Sequence, residues 1–143
     1  MITEIWLTVT GEQRDSDGRA DRNSVQCRAL YERSGQAHIF TYRETDPESG
    51  AVTDSEMVFE ENFCRITRKG GVSVTMCFSP GHEYDCMYGT AFGEIPRKIN
   101  AKRIAMKEVG NNFHARVSYK LSFLGADPME CAVTIKAEPI DAY

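Results

Sequence analysis

At 143 residues, 41% hydrophobic and 27% charged, the chain has room for one domain with its own core and little room for two. Its 17 Lys and Arg stand against 21 Asp and Glu, and the net charge of −4 argues against the basic footprint of a nucleic-acid binder. No apolar run is long enough for a membrane helix, residues 1–4 lack the pattern of a secretory signal, and the five cysteines are widely spaced with no C-x-x-C pair, so a reduced, cytoplasmic chain without a disulfide framework is expected.

Apolar and polar residues alternate along most of the chain, as in strands buried on one face, and helical periodicity is scarce. Leu7 and Val9 begin the first strand, and the polar residues 11–23 read as a loop. Val25, Cys27, Ala29 and Tyr31 then alternate up to Ser34 and Gly35, a pair suited to a tight hairpin turn. With those two in the turn, Tyr31 faces His38, Ala29 faces Phe40, Cys27 faces Tyr42, and Leu30 faces Ile39 on the outer side. Residues 44–55 read as a second polar loop. Lys69 and Gly70 mark a hairpin ahead of Val72, Val74, Met76 and Phe78, and residues 79–82 form a turn.

Farther along, a turn at Phe92 and Gly93 sets Thr90 opposite Ile95, Tyr88 opposite Arg97 and Cys86 opposite Ile99. The apolar phase flips between Ile99 and Ile104, which predicts a bulge near Lys102 and Arg103. Gly110 and Asn111 turn the chain so that Met106 faces Ala115 and Ile104 faces Val117. The clearest strand follows, with Phe113, Ala115, Val117, Tyr119, Leu121 and Phe123 on one face. After a longer turn at residues 125–128, Met129, Cys131, Val133 and Ile135 repeat the pattern. Short strands with short connections predict an all-β antiparallel meander, and closure into a barrel of about 8–10 strands would manage its edges. A two-sheet sandwich is the alternative.

Several short motifs point to a family. They are Leu7-Thr8-Val9-Thr10-Gly11-Glu12-Gln13, Tyr42-Arg43-Glu44, Ile66-Thr67-Arg68-Lys69-Gly70, Met76-Cys77-Phe78-Ser79-Pro80-Gly81 and Thr90-Ala91-Phe92-Gly93. In that order the chain resembles the YwiB-like proteins, an uncharacterised bacterial family, nearly end to end. The last motif departs from the family's Thr-Pro-Tyr-Gly at Ala91 and Phe92 but keeps the glycine. The resemblance implies a single domain, residues 1–143, folded as a calycin-like, lipocalin-type β-barrel. It supplies no reaction and no ligand.

The candidate site residues are those whose phase points inward. Arg97 alternates with Ile95 and Ile99, and a buried guanidinium requires an anion or several acceptors. Beside Tyr88 it could hold a ligand carboxylate; stacking on Tyr88, a rim position or pairing with a core acid are the structural alternatives. Arg65 shares a face with Val74 and Met76 if the Lys69 and Gly70 turn has two residues, whereas a three-residue turn replaces that face by Cys64 and Ile66. Phe40, Tyr42, Met76, Phe78, Tyr84 and Tyr119 supply bulky inward surface that either fills the barrel or lines a cavity. His82 with Glu83 reads as part of a turn, His114 as solvent-facing, and no metal site or cofactor is expected. No nucleophile elbow or converging carboxylate pair is present, so the expectation leans away from an enzyme. The reading is a non-enzymatic barrel holding a small, partly apolar ligand in its lumen, an anion being one candidate. The alternative is a solidly packed protein-interaction module, a homodimer among its forms, using outward Trp6 and Leu30. No nucleic-acid or membrane partner is expected.

Overall fold

The computed structural model describes residues 2–71, 73–90, 93–123 and 126–140, with the side chains of Tyr88 and Thr90 outside that description. Among these residues the backbone forms ten strands: β1 (Ile2–Arg14), β2 (Ala20–Ser34), β3 (Ala37–Thr45), β4 (Val52–Glu60), β5 (Phe63–Gly70), β6 (Val74–Phe78), β7 (Glu83–Thr90), β8 (Gly93–Val109), β9 (Asn112–Phe123) and β10 (Met129–Pro139). They make one antiparallel sheet in the order β6-β5-β4-β3-β2-β1-β10-β9-β8-β7. Strand β1 pairs with both β2 and β10, so the first and last strands join in the wall, with Leu7 opposite Ala137 and Val9 opposite Ile135. The remaining seam, between β6 and β7, is held by Ser73 and Gly89. Each donates its amide to the other's carbonyl, at 3.4 and 2.8 Å. The meander is therefore a nearly closed barrel.

Register follows the turns. The β8–β9 hairpin pairs Met106 with Ala115 and Ile104 with Val117, and its register shifts between Ala101 and Arg103, both as expected. The β2–β3 turn lies one residue later than expected, at Gly35 and Gln36, because Gly35 takes the positive φ of 61°. Tyr31 consequently faces Phe40 rather than His38, and Leu30 faces Thr41 rather than Ile39. A shift of this parity leaves every side chain on its expected face. The β7–β8 pairing puts Thr90 opposite Gly93, one residue earlier than expected, and the turn residues 91 and 92 lie outside the described residues. Arg97 therefore faces Cys86, and Tyr88 faces Ile95.

Two expected loops are half or more strand. Residues 11–14 and 20–23 extend the β1–β2 hairpin, leaving 15–19 to turn, and residues 44–45 and 52–55 belong to β3 and β4. Their polar composition reflects exposure of much of this extension to water, not absence of pairing. The β4–β5 hairpin turns at Glu61 and Asn62, where Asn62 accepts a φ of 59°. Past it, Arg65 pairs with Cys77 and Ile66 with Met76, so Cys64 and Ile66 face inward and Arg65 faces out.

Half of the barrel is solid. Phe40, Phe59, Phe78, Leu7, Met57, Ile99, Ile135 and Val117 are almost wholly removed from water, each such apolar side chain contributing about 1.5–3 kcal/mol. At one end the β2–β3 hairpin reaches the β8–β9 hairpin, two elements that are not sheet neighbours. His38 meets Phe113 with ring centroids 4.7 Å apart, and Phe40 meets Phe113 at 5.3 Å. Phe59 closes the group at 5.8 Å from Phe113. This aromatic set crosses the lumen and caps that end.

Candidate functional site

The other end of the barrel is not filled. A recess of about 220 Å³ lies there, lined by Val9, Val25, Tyr42, Met57, Ile66, Met76, Tyr119 and Val133, with Glu12, Gln13, Asn23, Glu44 and Arg68 among its polar residues. Strand alternation delivers each apolar group: Tyr42 from β3, Met57 from β4, Ile66 from β5 and Met76 from β6 point inward in successive strands. Tyr119 comes from β9 on the other side, its ring 4.8 Å from that of Phe78 and steeply tilted to it. Phe78 thus forms packed floor.

The polar groups have defined states. Arg68 Nη2 donates to Glu44 Oε2 at 3.3 Å, and both side chains are about 30% exposed, at 29% and 31%. Such a pair is only partly desolvated, so it can open to water or to a ligand. Burial, helped by the Glu44 charge, pushes the Tyr42 hydroxyl up to about 12. Burial also raises the Tyr119 hydroxyl and the thiols of Cys86 and Cys131 above their usual ranges. Near neutral pH these groups are protonated and uncharged. They can donate hydrogen bonds but are not poised as bases or nucleophiles.

The expected site residues divide clearly. Tyr42, Met76 and Tyr119 meet in the recess. Phe40 and Phe78 are packed core, Phe40 in the aromatic cap. Arg97 points inward: its guanidinium lies over the Phe123 ring, 4.7 Å from the centroid, and its charge is felt by Tyr119, Cys86 and Cys131. It stands behind the recess wall, and its strand neighbour is Cys86 in place of the expected Tyr88. The Tyr88 side chain lies outside the described residues. Arg65 is on the outer wall, 3.8 Å from Glu56, and takes no part in the lumen. The cation that reaches the recess is Arg68, which the sequence reading missed. Its signal was present, since Cys64, Ile66 and Arg68 alternate on one face once the longer turn is chosen.

A sequence model of a family described as "Domain of unknown function (DUF1934)" matches residues 7–135. No curated protein matches the chain. The fold is similar to that in the crystal structure of ywiB protein from Bacillus subtilis, with a TM-score of 0.84 at 21% identity over 98% of this chain and 94% of that chain. At that identity the likeness concerns the fold.

Proposed function

Since the chain belongs to the DUF1934 family, whose function is unknown, we propose from its geometry that it is a non-enzymatic binding barrel for a small, partly apolar ligand. The observation that carries this reading is the recess itself: inward-facing Tyr42, Met57, Ile66, Met76, Tyr119 and Val133 leave space unfilled beside a partly buried Arg68–Glu44 pair. The apolar side chains would cover the ligand body, and the Tyr42 and Tyr119 hydroxyls would orient it. A ligand carboxylate would take Arg68 by displacing Glu44, with the Arg97 charge adding to the local positive field. About 220 Å³ is below the ~300–1,000 Å³ of pockets for drug-sized molecules, so the ligand is small. The calycin likeness expected from the sequence fits by analogy of fold alone. Five free cysteines fit a reducing, cytoplasmic compartment.

The test is the mass of recombinant protein under native and denaturing conditions, for wild type and Met76→Trp. The indole would occupy the recess. Wild type should carry extra mass that denaturation removes, and the variant should carry none. The same extra mass on both proteins would place the ligand elsewhere and overturn the reading.

One observation favours the interaction module instead. Strand β2 pairs with β3 only from Leu30 to Ser34, so among the described residues the β3-side edge of residues 20–29 has no strand partner. An open edge of this kind can accept another strand. Trp6, by contrast, is half-buried and covered by Arg28, whose guanidinium carbon is 5.3 Å from the ring centroid. A stable dimer in solution would favour this second reading.

A further inference from the structure

The capped end of the barrel carries a second cavity, of about 370 Å³, between the β8–β9 hairpin and the starts of β1 and β2–β3. Its size is within the range of small-molecule pockets. Tyr31 presents an aromatic face to it, with the buried Phe40 and Phe113 packed behind, and Asn112 adds an amide. The two charged residues that line it are both acids, Glu4 and Glu108. Among the described residues no lysine or arginine is part of the lining. Arg28 and Arg33 reach these carboxylates from outside the lining, at 3.2 and 3.8 Å, and all four side chains of the two pairs are more than half exposed. Pairs that open to solvent are weak and readily exchanged.

The Tyr31 hydroxyl is engaged with His38 Nδ1 at 2.7 Å, and that nitrogen lies 3.9 Å from Glu108 Oε1. The hydrogen bond holds the Tyr31 ring in place between His38 and Phe40, with centroids at 6.0 and 5.0 Å. Burial keeps His38 on the neutral side of its ordinary range, so it does not supply a competing positive charge. Aromatic faces beside carboxylates held only in weak, solvent-exposed ion pairs attract organic cations in preference to anions or neutral molecules of the same shape.

We propose that this capped-end cavity is a binding site for a small organic ammonium ion, with Glu108 and Glu4 as counter-charges and Tyr31, backed by Phe40 and Phe113, as the aromatic wall. The site is independent of the open-end recess. It differs from that recess in having acids as its charged lining and in lying where the β2–β3 and β8–β9 hairpins meet the start of β1 and the end of β10.

The test titrates choline, and its uncharged carbon analogue 3,3-dimethylbutan-1-ol, into the full chain while recording amide and side-chain NMR shifts. Choline should bind at least tenfold more tightly than the alcohol, with shifts centred on Asn111, Asn112 and Phe113. Glu108→Gln should weaken choline at least fivefold, whereas Glu56→Gln, on the outer wall, should not. Because Glu108 is exposed, its variant should keep the wild-type spectrum elsewhere. Equal binding of the alcohol, choline binding that Glu108→Gln leaves unchanged, or shifts centred on Met76 and Tyr42 would each overturn the proposal. Met76→Trp should leave choline binding intact, so this site and the open-end recess can fail separately.

Discussion

Burial lowers the pKa of His38, and the nearby Arg33 charge acts in the same sense while Glu108 opposes it. Above its ordinary value of 6.5 the imidazole is neutral in both folded and unfolded chains and contributes no pH dependence. As the pH falls through that value, the unfolded chain takes up the proton first and stability drops, until the folded His38 titrates as well. Wild type should therefore lose urea resistance relative to His38→Gln as the pH is lowered from about 7.5 to about 5.5. Parallel curves for the two proteins would show that His38 is not constrained in this way. At this scale much was legible in the sequence. Alternation put Tyr42, Met76, Tyr119 and Arg97 on the inner face correctly, because a period of two depends only on parity. Parity cannot locate a residue along the barrel axis or count turn residues. It therefore could not separate Phe78, which is packed, from Tyr42 and Met76, which line the open-end recess. It also could not choose between Arg65 and Arg68.

Elements show where composition misleads. Residues 11–23 look like a loop because both faces of that hairpin are largely polar, yet they continue β1 and β2 with an unbroken register from Gly11 opposite Asn23 to Arg14 opposite Ala20. Hydrophobic pattern reports burial, and an exposed ribbon has little to report. Where the barrel closes is another feature that no local pattern reveals, since Ser73 and Gly89 lie on different hairpins. Gly89 is chosen by space: a Cβ there would come within 3.1 Å of the Ser73 carbonyl oxygen and 3.5 Å of its Cβ. Gly89→Val should force the seam apart and cost about 1–3 kcal/mol. Urea unfolding would give that loss, and amide exchange should rise at Ser73 and along β6 before it rises in β1 or β10. Unchanged protection at Ser73 would mean that this bridge does not hold the wall.

As a whole, the molecule is a barrel with two unlike ends. The aromatic cap ties hairpins β2–β3 and β8–β9 together across the lumen, and the opposite end keeps a recess with the Arg68–Glu44 pair beside it. The meander and its near closure could be read from strand spacing, but the division of the lumen could not, because it depends on side chains from strands distant in sequence. The central claim is that the open-end recess receives a ligand. The most direct measurement is a methionine-methyl NMR titration with phenylacetate, a small anion with an apolar body. Met57 and Met76 line the recess, and Met87 is exposed on β7 and serves as the internal reference. The Met57 and Met76 methyls should shift together and saturably while Met87 stays in place, and Met76→Trp should abolish the Met57 shift. Met57 and Met76 methyls that do not move, or that move only in step with Met87, would contradict it.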